Sequence, residues 1–165
     1  MVARLFRQTW LWFAYWRLYP LWHLLRQAVP EIELPPEPGM RWNVRYRLHR
    51  RVIEIRDAQL VLRPYSPSVV AKLAAAMAEE SSLHSDRAAA VVEAAVIVSS
   101  LRSRAGGSVC RHDGISEGQV GAVPGNDIRA EAARLIAVYR FIRRSRIVRR
   151  AGLSVGLRPS HGSVQ

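Results

Sequence analysis

At 165 residues with 49% hydrophobic content, the chain is long enough to bury one core and too apolar to be globally disordered. Its 25 basic residues outnumber 13 acidic ones for a net charge of +12, with Lys72 the only lysine. That surplus favours an anionic partner, whether a lipid headgroup layer, a nucleic acid or an acidic protein surface; the single cysteine, Cys110, excludes an intrachain disulfide and fits a reducing compartment.

The spacing predicts a first helix over 3–18, with aromatic residues on nearly every side, so it needs cover from lipid, protein or another chain. Its longest uncharged run, 8–16, reaches only ~14 Å at 1.5 Å per residue, and a bilayer core measures about 30 Å. Trp10, Leu11, Trp12, Phe13, Tyr15 and Trp16 lead into Arg17 without the aliphatic core and small-residue cleavage site of a signal peptide, so the segment is expected to stay in the mature chain. Trp and Tyr favour a membrane interface, where Arg4, Arg7, Arg17 and Arg26 can meet anionic headgroups. The alternative is a helix packed into the core. Tyr19-Pro20 is expected to break or bend it, leaving a short piece over 21–28. Pro30, Pro35, Pro36, Pro38 and Gly39 then make 29–43 an extended, semi-rigid linker, which Ile32 and Leu34 can pin to a surface.

From Val44 the period is helical: Val44, Leu48, Val52, Ile55 and Leu62 share one stripe, while Arg47, Arg50, Glu54 and Asp57 lie elsewhere around it. Pro64 ends this helix. Ser66 is the expected N-cap of the next, with Pro67 at its first position and Val69, Leu73 and Met77 on one face. Ser85 is expected to cap a helix through Leu101 with Val91, Ala95, Val98 and Leu101 inward. Six glycines and Pro124 make 105–125 a loop, after which Asn126 or Asp127 starts a last helix carrying Ile128, Ala132, Leu135, Tyr139 and Ile142 inward. That helix ends on Arg143, Arg144, Arg146, Arg149 and Arg150, a sign of charge suited to a helix C-terminus. The tail 151–165 is expected to be disordered. The fold expected is all-α, a small domain of about five helices over 44–150 behind membrane-adjacent or docking helices at 1–28.

Three blocks in order carry a resemblance: Trp16-Arg17-Leu18-Tyr19-Pro20-Leu21-Trp22; Pro30-Glu31-Ile32-Glu33-Leu34-Pro35-Pro36; and Tyr46-Arg47-Leu48-His49-Arg50-Arg51-Val52-Ile53-Glu54-Ile55-Arg56-Asp57 with Leu62-Arg63-Pro64-Tyr65. Together they resemble the C-terminal cytosolic domain of an actinobacterial multi-pass membrane-protein family, labelled a transporter or regulator and without an established biochemical function. The resemblance covers about 16–104, and His49 departs from it where an aromatic residue is expected. It implies transmembrane helices ahead of the domain, so this chain is either a truncated reading frame or a stand-alone version.

No catalytic constellation, phosphate-binding loop or metal-ligand pattern is visible, with Cys110, His112 and Asp113 unpaired in a Gly-rich segment. No cofactor and no small-molecule substrate are expected, and the chain is read as no enzyme. Candidate contact residues are Trp10, Trp12, Trp16 and Trp22 for membrane or subunit contact and Arg47, Arg50, Arg51 and Arg56 for an anionic surface. Glu54 lies within helical reach of Arg50 and Arg51, and Asp57 completes the charged set. The expected role is a regulatory or scaffolding module in the cytoplasm, peripheral at the inner face of the plasma membrane, with a membrane protein or the anionic surface as partner. Nucleic-acid binding through the arginine-rich helices is the alternative.

Overall fold

A computed structural model describes residues 2–33, 39–40, 42–109 and 127–153. Outside them lie 1, 34–38, 41, 110–126 and 154–165, which hold Leu34, three of the linker prolines, Cys110, His112, Asp113 and most of the expected tail; the side chains of Arg4 and Arg7 are also outside. The described residues form six α-helices and two 3-10 turns with no strand, the expected all-α class. The helices are α1 (Val2–Ala28), α2 (Val44–Leu62), α3 (Ser68–Glu80), α4 (Ser85–Ala105), α5 (Ile128–Arg144) and α6 (Arg146–Leu153).

α1 packs on α2 and α5, while α4 touches α2, α3, α5 and α6 and so forms the middle of the fold. Small residues allow this: Ala90, Ala94, Ala95, Ser99, Ser100 and Ser103 are all buried on α4, so neighbouring backbones approach closely. The hydroxyls of Ser99 and Ser100 donate back to the Val96 carbonyl at 2.9 and 2.8 Å, which satisfies them inside the core. The α2 stripe is as its period implies, with Val44, Leu48, Val52, Ile55 and Leu62 buried. Asn43 caps that helix by accepting from the Tyr46 amide at 3.2 Å, and Asp127 caps α5 by accepting from the amides of Arg129 and Ala130.

Several local expectations are corrected. No break occurs at Tyr19-Pro20: Pro20 sits inside the single helix α1, whose Leu18, Leu21 and Leu25 are fully buried. Core packing of the turns on both sides outweighs the hydrogen bond that Pro20 cannot make. Ser66 does not cap α3, because Arg63–Tyr65 forms a 3-10 turn that closes when the Ser66 amide donates to the Arg63 carbonyl at 3.1 Å; α3 then starts at Ser68. Its inward face is Val70, Ala74 and Ala78, one residue on from the expected one, and Val69 is exposed. The last helix is interrupted at Ser145, whose backbone is extended, and the start of the expected disordered tail is instead helical, with Ala151 fully buried on α6.

α3 and α4 end alike. The Leu83 amide reaches back to Ala78 and that of Ser82 to Glu79; equally, the Ser108 amide reaches Ser103 and that of Gly107 reaches Arg104. This pairing needs a left-handed residue after the helix, supplied by Gly107 at φ 68° and by Ser82 at φ 50°. Only glycine adopts that conformation without a side-chain penalty. Ser82→Gly is therefore expected to raise stability, and Gly107→Ala to lower it, each by about 1 kcal/mol in urea unfolding.

Candidate functional site

The first helix has a buried apolar face edged by polar contacts to α2, and an outer aromatic face. On the inner face Tyr15 is the hub: its hydroxyl accepts from Arg47 Nη2 at 2.7 Å and Arg51 Nη2 at 2.9 Å, and its backbone carbonyl accepts from Arg51 Nη1 at 2.8 Å. The Arg51 guanidinium lies 3.7 Å from the Tyr15 ring centroid and 5.0 Å from that of Trp22. Pro20 has no N–H for the Trp16 carbonyl, and the adjacent carbonyl is the one Arg51 holds, so α2 supports the backbone of α1 one turn ahead of its proline.

Glu54 completes this array. One carboxylate oxygen accepts from Trp22 Nε1 at 2.7 Å and the other from Arg50 Nε at 3.0 Å. Arg51 is 8% exposed and Glu54 4%, so both belong to the interior. Burial pulls the Arg51 guanidinium below its ordinary pKa against the opposing pull of Tyr15 and Glu54. Desolvation is the largest single influence on Arg50 and lowers its pKa, but the hydrogen bonds and charges of Glu54 and Tyr46 together outweigh it and leave the pKa raised. A guanidinium stays charged under all ordinary conditions, so these directions describe interaction rather than titration. Of the residues expected to face outward, Trp22 and Arg51 thus face the α1–α2 contact, and Arg50 is tied to Glu54.

A second array engages Arg56. Its Nε donates to Glu131 Oε1 on α5 at 2.6 Å and its Nη1 to Glu93 Oε1 on α4 at 2.7 Å and to Gln59 Oε1 at 2.5 Å. Arg134 pairs with the other Glu93 oxygen at 2.9 Å, and Gln59 Nε2 donates to Glu93 Oε1 at 2.9 Å. This joins α2, α4 and α5 at the edge of the core. Arg56→Met removes the cation between two largely buried carboxylates and is expected to cost roughly 1.5–3 kcal/mol in urea unfolding, the range for hydrogen bonds to charged groups. Asp57 is half-buried and outside both arrays. Tyr15, Gln59, Glu93 and Glu131 were not singled out from sequence; the signal for Glu93 was an acid in the alanine-rich middle of α4, and for Glu131 the one acid of the basic helix α5.

The outer face of α1 is different. Trp12, Trp16, Tyr19 and His23, at helical spacings of four, three and four, lie on one side. Trp16 is 61% and Phe13 52% exposed, and Trp12 and Tyr19 are exposed beside them. Ring contacts run along this stripe, with centroids 6.5 Å apart from Trp16 to Tyr19 and 5.7 Å from Tyr19 to His23. Arg17 is exposed and lies 5.5 Å from the Phe13 ring, and Arg47 lies 5.6 Å from that of Trp12. Trp10 is half-buried against the core under Arg129, whose guanidinium is 4.7 Å from its ring. No acidic residue occurs anywhere in α1. At the far end the stripe opens into a groove of about 490 Å³ between α1 and α5, where Tyr19 and His23 meet Tyr139, Ile142 and Arg143.

Residues 6–145 match a family of unknown function, DUF6545. The chain belongs to that family. The match extends beyond 16–104 on both sides and takes in the aromatic helix, the Gly-rich segment and α5, so that segment and Arg143 and Arg144 fall within the family region. No curated protein and no solved structure matches the chain. Among the described residues, no helix is long and apolar enough to cross a membrane.

Proposed function

We propose that the domain is a regulatory or scaffolding module that works by contact, docking the outer face of α1 on an anionic membrane surface. The observation that carries this is the exposed run Trp12, Phe13, Trp16 and Tyr19 on a helix without a single acid. Tryptophan and tyrosine gain at a lipid interface because their rings lie among apolar groups while the N–H or O–H stays hydrated. Arg17 and Arg143 flank the stripe and supply the electrostatic part. In this reading the helix lies in the plane of the surface with its buried side on α2 and α5. The module is peripheral at the cytoplasmic face and serves as the cytosolic domain of an actinobacterial membrane-protein family, acting on a membrane-protein partner by position rather than by chemistry.

Sedimentation with vesicles tests this reading. The full chain is expected to pellet with vesicles containing phosphatidylglycerol, and far less with phosphatidylcholine alone, at moderate salt. Equal recovery from both would end the anionic-surface reading.

Nonspecific nucleic-acid binding is the second reading, favoured by the exposed Arg140, Arg143, Arg144, Arg146 and Arg149 on α5 and α6. It predicts a steep loss of duplex-DNA affinity with rising salt. A flat or absent mobility shift removes it.

A further inference from the structure

The groove at the end of the aromatic stripe has a composition that the stripe alone does not require. We infer that it is a site for the headgroup of a single phospholipid, with the phosphate on Arg143 and the glycerol backbone and first methylenes on the apolar lining; this rests on the membrane-docking reading above. It is an open depression of about 490 Å³ along α1 and α5, which suits a headgroup left partly in water. Its lining joins apolar Pro20, Leu24 and Ile142 with polar His23, Gln27 and Tyr139. An amphiphile with one charged end matches that division.

Charge complementarity selects the sign and the place. Two arginines border this end of α1, and they differ. Arg26 is held by Glu33 at 2.5 Å and lies 5.1 Å from the Trp22 ring centroid, so its charge is already answered. Arg143 is exposed, lines the groove, and forms no ion pair among the described residues. Guanidinium suits a phosphate because its planar fork presents two parallel N–H donors. Position selects the source. Tyr19 and His23 belong both to the exposed stripe and to the groove, so a helix lying on a membrane through Trp12 and Trp16 brings the groove mouth to headgroup depth. A soluble phosphate compound needs no such continuity.

Dihexanoyl phosphatidylglycerol, kept below its micelle-forming concentration, is titrated into the full chain and followed by tryptophan fluorescence, since Tyr19 lies between Trp16 and Trp22. Saturable binding is expected, weakened about ten-fold by Arg143→Ala through loss of charge-assisted hydrogen bonds. Arg140→Ala, an exposed change on the same helix outside the groove lining, is expected to shift affinity less than two-fold. Inorganic phosphate is expected to bind at least ten-fold more weakly than the lipid. Equal losses in the two variants would reduce the effect to net charge and overturn the site; phosphate binding as tightly as the lipid would overturn the lipid assignment. Saturable short-chain lipid binding without any preference for anionic vesicles would retain the groove site and refute the docking of the whole face. Vesicle binding with a flat titration would do the reverse.

Discussion

Glu54→Leu is expected to destabilise the domain by about 3–5 kcal/mol, the cost of removing one member of a buried charge pair. The carboxylate answers Arg50 directly, balances the buried Arg51 through space and accepts the Trp22 indole N–H. Leucine fills comparable volume but leaves a guanidinium without compensation and an indole donor without an acceptor. Trp22→Phe isolates the smaller part, with an expected loss of about 1–3 kcal/mol from one buried acceptor position left unfilled. Urea unfolding followed by circular dichroism measures both. A loss below about 1 kcal/mol for Glu54→Leu would mean that the array does not hold α1 on α2. Stability is the whole expected effect, because Glu54 is buried away from the outer face.

The opposite pattern is expected when Trp12 and Trp16 are both changed to alanine. A tryptophan exposes on the order of 150–250 Å² when uncovered, and about half of that transferred from water at about 25 cal/mol per Å² amounts to roughly 2–3 kcal/mol per ring. Partition onto anionic vesicles should therefore fall at least ten-fold, and by about a thousand- to ten-thousand-fold if both rings insert fully. The unfolding midpoint should fall modestly, since Trp16 is 61% exposed whereas Trp12, 36% exposed, gives up its contacts with the Tyr15 ring and Arg47. A double variant that keeps its vesicle affinity would remove the stripe from the docking face. One that unfolds instead would show that these rings serve the core.

The stripe of α2 was readable because Val44, Leu48, Val52, Ile55 and Leu62 recur at helical spacings and all are buried. The Asp127 cap was readable because its carboxylate precedes an amphipathic run. Arg51 and Glu54 were not, although a wheel places them next to the apolar stripe. Whether such a neighbour is inside depends on what the facing helix offers, and Tyr15, with its hydroxyl, carbonyl and ring, and Trp22, with its N–H, come from 30 or so residues earlier. The same long-range contact explains why Pro20 could be read as a breaker when the helix continues through it. Local rules weigh the missing hydrogen bond, and they do not include an arginine from α2 holding the carbonyl beside it. Ser145 shows the reverse case: neither glycine nor proline marks the interruption there, yet the chain turns so that Val148 and Ala151 enter the core.

The aromatic run separates fold from surface. Sequence alone placed rings all around α1; the structure divides them, with Tyr15 and Trp22 buried on the arginines of α2, Phe13 and Trp16 facing outward, and Trp12 and Tyr19 exposed at the edge beside Arg47 and Arg51. Most of the arginines first assigned to an anionic surface turn inward to internal partners, and among the described residues the exposed basic ones beside the stripe are Arg17 and Arg143. This leaves α1 as the element whose position is fixed on one side and unanswered on the other.

Quenching by brominated lipids tests that division most directly. Two variants are compared, one keeping Trp16 and the other keeping Trp22 as the sole tryptophan, with phenylalanine at the other four positions. On phosphatidylglycerol vesicles carrying bromine on the upper acyl chain, the Trp16 protein should be strongly quenched and the Trp22 protein little. Equal quenching of the two, or quenching of Trp22 alone, would contradict the docking of α1 through its outer face.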